Sequence, residues 1–303
     1  RNYNDFTIES IKGGLSNGEV KSKPKKTPDT PEHLPNLHQI CGAFGVVRSG
    51  KTNALVNLLQ SYWDHGSINI MYAIAPTYDS NSSVQTLPIL EEDVYKDPDS
   101  SLASMDSIVG KIQQKADEWR EEEEYKKAYK KWQDLRGDRT TFKEKTILHR
   151  QHFRPPLDIP WPSAAIFVDD MTHTELMVDS KRNKLCNTCL RHRHINGVGV
   201  SIFFAFQTFK SGMPRVVRTN LTLVMLFPNC NMKEIEEIHS EIANNISFDT
   251  FKQILFEATK DAHSFLLIDK LSKDPTKQFR KNFDQNFIID TVRERAKVLK
   301  LAI

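Results

Sequence analysis

Short, largely apolar runs alternate along the chain with longer stretches in which apolar positions recur every three or four residues. The apolar runs lie at 37–44, 68–75, 164–168, 200–206, 221–227 and 264–268. Each is strand-sized and lacks a strict in–out alternation, so each reads as a strand covered on both faces. Helical spacing predicts a helix over 51–63, with Leu55, Leu58, Leu59 and Tyr62 on one face. Further helices are predicted over 175–191, 232–244, 248–260 and 287–299. The strand–loop–helix–strand order of residues 37–75 predicts an α/β domain built on a parallel sheet.

Two regions depart from this rhythm. Residues 1–35 hold Gly13-Gly14, the cluster Lys21, Lys23, Lys25 and Lys26, and Pro24, Pro28, Pro31 and Pro35, with few apolar anchors. They read as a basic arm, either draped on the surface or touching nucleic acid or a neighbouring subunit. Residues 80–160 show no clear strand. A charged helix is predicted there over about 108–135, with Tyr125, Tyr129 and Trp132 on one face. Those rings read either as the packing face of an amphipathic helix or as part of an insertion that contacts DNA or a partner. Residues 126–154 carry ten Lys/Arg against three acids, which would attract anions. The predicted organisation is an arm over 1–35 and one domain over 36–303. The domain carries the helical insertion at about 80–160 and a helical tail at about 271–303.

Bulk properties narrow the class. A chain of 303 residues, 39% hydrophobic, can bury a large core, and a net charge of +3 supports no electrostatic claim by itself. No run of 18 apolar residues occurs, so a membrane span is not expected, and no secretion signal is seen in the sequence. Four cysteines do not make a disulfide scaffold, and a reducing compartment is the default.

The candidate chemistry begins after the first predicted strand. Gly45-Val46-Val47-Arg48-Ser49-Gly50-Lys51-Thr52 has the residues and spacing of a triphosphate-binding loop. Glycines at both ends let backbone N–H groups turn inward, and the following helix, starting Lys51-Thr52-Asn53, adds its positive end. Lys51 would reach the β- and γ-phosphates of ATP, and the Thr52 hydroxyl would ligate Mg²⁺. Ile166-Phe167-Val168-Asp169-Asp170 delivers two carboxylates at a strand's C-terminal end, where ligands sit in open α/β sheets. Asp169 would complete the metal site and Asp170 would polarise the attacking water. Gln207, at the end of another buried run, would contact the γ-phosphate or that water.

Between Lys181 and Met232 there is no Asp or Glu, which suggests a surface kept positive. Arg191, Arg193 and Arg218 in this stretch are candidates for an arginine supplied to a neighbouring subunit's γ-phosphate. Cys186-Asn187-Thr188-Cys189 with His192 and His194 resembles a zinc half-site. All four groups fall within nine residues of one helical segment, however, which favours buried cysteines. No Asn-Lys-x-Asp guanine-reading motif is present.

In combination these features resemble the FtsK/HerA superfamily of DNA-pumping ATPases, and within it the poxvirus-type genome-packaging ATPases of large DNA viruses and virophages. The likeness rests on the phosphate loop, Asp169-Asp170, Arg193-His194 ahead of the strand that ends at Gln207, and Arg218-Thr219-Asn220 opening the next strand. It covers about residues 37–270. Many relatives carry Glu after the metal-binding Asp, whereas Asp170 is one methylene shorter. The resemblance implies a RecA-like (ASCE) core, and a homo-oligomeric ring, hexamer or pentamer, with ATP between subunits and double-stranded DNA in a central pore. It further implies capsid or portal-vertex partners and a place in the host-cell cytoplasm, at viral factories, or in the virion. On the same core, a cellular or plasmid DNA translocase or helicase is the first rival reading. A nucleotide-gated scaffold without turnover is the second.

Overall fold

A computed structural model of the chain describes residues 28–134, 139–180, 183–228, 231–272, 274 and 277–299. Most of the basic arm, Lys181, Arg182 and Cys230 lie outside the described residues.

The helices, in chain order, are α1 (Lys51–Asp64), α2 (Ser101–Asp134), α3 (Phe142–Arg150), α4 (Lys184–Arg191), α5 (Arg215–Thr219), α6 (Met232–Ile242), α7 (Phe248–Thr259) and α8 (Thr291–Val298). The strands are β1 (Ile40–Phe44), β2 (Ile70–Ile74), β3 (Val94–Tyr95), β4 (Ala164–Asp169), β5 (Val200–Phe206), β6 (Leu223–Leu226), β7 (Leu266–Asp269), β8 (Phe279–Lys281) and β9 (Gln285–Phe287). Among the described residues they form one sheet in the order β3-β2-β4-β5-β1-β6-β7-β8-β9. The six strands from β3 to β6 run parallel, and β7, β8 and β9 continue the sheet antiparallel. The fold is thus the expected α/β core with a mainly parallel sheet flanked by helices.

The apolar runs are buried on both faces because each strand feeds two cores. Ile40 and Phe44 of β1, Ile166 and Val168 of β4, and Ile202, Phe204 and Phe206 of β5 face one core. That side is closed by Ile108 and Ile112 of α2, Leu185 of α4, Ile238 of α6 and Phe251 of α7. The intervening Cys41, Ala43, Phe167, Phe203 and Ala205 face the other, closed by Leu55, Leu58, Leu59 and Tyr62 of α1. At about 25 cal/mol per Å² of apolar area, this two-sided burial is the main force holding the site's scaffold in place.

Three elements differ from the sequence-based expectation. The helix expected over 175–191 is split: a 3₁₀ turn (Glu175–Met177) precedes α4, whose start is set by Asn183 accepting from the N–H groups of Leu185 and Cys186. Among the described residues the expected helical tail begins instead with the β8–β9 hairpin, and α8 follows it. These two strands are polar and short. β8 pairs through its backbone with β7 and β9 with β8, with Phe279 buried as the anchor. In the 80–160 insertion, β3 adds a two-residue parallel edge strand to β2, and α3 folds back on the distal half of α2. Residues 29–35, assigned to the arm, are stitched to the domain. Tyr62 Oη donates to Pro35 O at 2.7 Å, Ser67 Oγ to Asp29 O at 2.6 Å, and Arg280 to His33 O at 2.8 Å.

Candidate functional site

The phosphate loop leaves β1 at Phe44 and enters α1 at Lys51. Two glycines make that path possible. A Cβ on Gly45 would stand 2.7 Å from Phe227 Cβ, and Gly50 holds φ 103°, a left-handed value open to glycine. Gly50 is also the N-cap of α1 and offers no side chain to its first N–H groups, and the first turn holds no acid. The helix start is therefore open to an anion. Ser49 Oγ is buried without a hydrogen-bond partner, 3.0 Å from the place a Gly45 Cβ would occupy. An orphaned buried hydroxyl is destabilising unless an acceptor reaches it, and a phosphate oxygen in the loop is such an acceptor. Lys51 folds over the loop and donates to Gly45 O and Val46 O, both at 2.7 Å. Val46 and Val47 are exposed at the tip and Arg48 holds φ 64°.

Strand order decides what faces the loop. β5 lies between β1 and β4, all three parallel, so Phe44, Phe206 and Asp169 end on one rim of the sheet. Thr52 Oγ1 donates to Asp169 Oδ2 at 3.3 Å across 117 residues of sequence. A cavity of about 190 Å³ is lined by Lys51, Thr52, Asp169, Asp170 and Gln207. The sequence-predicted groups thus share one space. Asp170 turns away from β4 at φ 54° and is exposed, as is Gln207. Thr77, Asn81 and Thr172 line the same cavity and were not picked out from the sequence. The usable signal was position: Thr77 follows the C-terminal end of β2, a parallel strand next to β4.

Asp169 is buried, and that burial, reinforced by the neighbouring Asp170 carboxylate, pushes its pKa up to about 6. Thr52 and Lys51 act in the opposite direction. A carboxylate and a hydroxyl in contact beside a second acid form an oxygen-only donor set of the kind hard divalent cations take.

The three arginines fall elsewhere. Arg191 and Arg193 are exposed at the N-terminal end of β5. The seven residues of that strand, about 23 Å, separate them from the phosphate loop of the same chain. Arg218 does not fit an arginine offered to a neighbour. Its side chain is buried, with Nη1 donating to Lys210 O at 3.0 Å and Met213 O at 2.9 Å, and Nε to Glu241 at 3.3 Å. It holds the loop that follows Gln207. The zinc pattern fails on geometry. His192 places its ring nitrogens against Cys189 O and His38 O, at 2.7 and 3.0 Å, and Cys186 and Cys189 are buried core thiols. Among the described residues no group of three or more His, Cys, Asp or Glu could hold a metal ion, and no helix is long and apolar enough to cross a membrane.

No protein-family profile and no curated protein matches the chain. Among solved structures it is similar to the DNA-packaging ATPase B204 of Sulfolobus turreted icosahedral virus, at 11% identity and a TM-score of 0.49, over 81% of this chain and 97% of that one. It is also similar to the pCW3 conjugation coupling protein TcpA, at 16% identity and a TM-score of 0.45, over 92% and 75%. A third is the cytoplasmic domain of the Thermomonospora curvata type VII secretion ATPase EccC, at 15% identity and a TM-score of 0.43, over 87% and 28%. At these identities and scores the likenesses assign no activity and no role to any residue.

Proposed function

We propose that the chain is an ATPase motor that moves double-stranded DNA, working as a ring and packaging a viral genome into a capsid. The observation that carries the chemistry is the small cavity in which Lys51, Thr52, Asp169, Asp170 and Gln207 meet. The Arg193-His194, Gln207 and Arg218-Thr219-Asn220 series supports the packaging branch over other users of the same core.

In this reading the loop amides and the α1 N-terminus bind the phosphate chain of ATP. Lys51 swings from the Gly45 and Val46 carbonyls to the γ-phosphoryl oxygens, where charge develops. Thr52 and Asp169 would hold Mg²⁺, which supplies charge neutralisation on the β- and γ-phosphates. Asp170 takes the proton of the attacking water, and Gln207 orients that water and senses its loss. Arg191 or Arg193 reaches the phosphate of an adjacent subunit, since their own lies across the sheet. Capsid or portal-vertex proteins are the proposed docking partners.

The test is phosphate release with and without duplex DNA, alongside the mass of the assembly. Stimulation by duplex, lost steeply as salt rises, together with a five- or six-subunit mass supports the motor. ATP turnover indifferent to DNA would remove the translocation step, and strand separation of forked DNA would favour a helicase.

A further inference from the structure

Lys51 and Thr52 stand between two cavities, not one. The second, about 680 Å³, shares Arg48, Lys51 and Thr52 with the first and opens on the other side of the loop. Its walls come from three distant pieces of chain. Asn53 and Asn57 lie one helical turn apart on the exposed flank of α1. His263 lies in the turn before β7, and Asn282 and Phe283 form the turn of the β8–β9 hairpin.

We propose that this cavity receives the nucleoside end of the nucleotide, and that the C-terminal hairpin is the element that selects adenine. The inference rests on the phosphate-loop reading above and extends it to the base. Continuity is the first argument. The two cavities share the phosphate-binding residues, so a triphosphate whose γ-end faces Asp169 emerges into the larger space. That space falls within the about 300–1,000 Å³ of small-molecule sites.

The second argument is chemical. Phe283 offers an aromatic ring, itself braced edge-on by Phe265 with centroids 5.1 Å apart. Asn57, exposed on α1, offers an amide whose donor and acceptor match, in reverse, those that adenine's edge presents. No carboxylate lines the cavity among the described residues. Guanine's two adjacent donors are best met by an acceptor-only carboxylate, so the lining disfavours it.

The third argument is that this wall is fixed to the loop it serves. Asn282 N–H donates to Phe265 O at 3.0 Å, and Asn282 Oδ1 accepts from Phe265 N–H at 3.2 Å, which pins the hairpin turn to the segment entering β7. His263 sits directly on the loop, its ring 3.3 Å from the place a Gly50 Cβ would occupy. A shift of either segment would move the base wall relative to the phosphates.

Calorimetric titration of the full chain with ATP, GTP and inorganic tripolyphosphate, each with Mg²⁺, tests this. Wild type is expected to bind ATP more tightly than either GTP or tripolyphosphate. Phe283→Ala is expected to weaken ATP about tenfold, the scale of one lost stacking contact, and leave tripolyphosphate unchanged. Asn57→Ala, an exposed helix position with no core role, should narrow the gap between ATP and GTP. Tripolyphosphate binding also certifies that each variant is folded. If tripolyphosphate binds but both variants keep wild-type ATP affinity and selectivity, or if wild type holds ATP no better than tripolyphosphate, the base pocket is wrong while the phosphate site stands. If wild type binds none of the three, the phosphate-loop reading falls and this one with it.

Discussion

The sheet rim where Phe44, Asp169 and Phe206 end and the helical excursion of residues 101–154 use the same residue types for opposite ends. At the rim, Asp169 is buried beside a second acid, and its carboxyl is pushed up to about 6. In the excursion two carboxylates, Glu122 and Glu144, are relieved by partners. Lys131 and the Thr141 backbone N–H hold Glu144 down to about 2, and Arg154 together with the Leu157 N–H holds Glu122 below its usual value. Glu144 also closes a capping box with Thr141 at the start of α3. Uncompensated electrostatic cost stands at the rim, and charge satisfied by partners stands in the excursion. The aromatic face of α2 follows the same division. Tyr125, Tyr129 and Trp132 pack with Leu148 and Phe153 in a small cluster separate from the two sheet cores. The basic excess there is partly spent on ion pairs, Lys131 with Glu144 and Arg154 with Glu122 among them.

The contrast can be broken at several points. The largest effect is expected at Lys51. Lys51→Ala should lower ATP turnover by about 10²–10³-fold and leave the melting temperature nearly unchanged, because its donors serve the loop and not a core. Turnover at the wild-type rate would end the assignment. Tyr125→Ala should do the reverse. Its ring is buried in the excursion and its hydroxyl donates to Arg154 O. Loss of about 3 kcal/mol is expected there, read as faster amide exchange confined to 118–154, with basal ATP turnover retained. Asp169→Asn should trade function for stability. A group whose folded pKa is raised stabilises the protonated native state, so its cost grows as pH rises through about 4 to 6 and is complete above 6. At pH 7 the amide should therefore gain on the order of 1–2 kcal/mol in unfolding titrations while turnover collapses.

The smallest effect concerns acid. Glu122 and Glu144 have depressed folded values, so their support is present above the ordinary carboxylate pKa and fades as pH falls below it, for Glu144 down to about 2. Amide protection in 118–154 should decline over that window, and a flat profile would show that the pairs contribute nothing.

Much of this was legible in the sequence for a physical reason. The strand Val200–Phe206 and the helix starting at Lys51 were read with the right bounds because a strand buried on both faces leaves an unbroken apolar run and a phosphate loop fixes its neighbours. What was illegible relies on partners far away in sequence. The β8–β9 hairpin carries little apolar signal and forms only because β7 presents an edge. Asn282 and Phe283 therefore gave no hint of lining a cavity with Asn57. Arg218 looks like any other arginine of an acid-free stretch, and its partners, the Lys210 and Met213 carbonyls and Glu241 on a later helix, show where it is bound. Asn183 is the exception, a capping residue next to α4 that marks the helix start locally.

The central claim is that Thr52 and Asp169 serve one magnesium–nucleotide complex. A double-mutant cycle of Thr52→Ala and Asp169→Asn on ATP affinity, run with Mg²⁺ and again with a chelator, tests it most directly. The two losses should overlap in Mg²⁺, with a coupling of about 1–3 kcal/mol that vanishes in chelator. Losses that simply add in Mg²⁺ would contradict a shared ion.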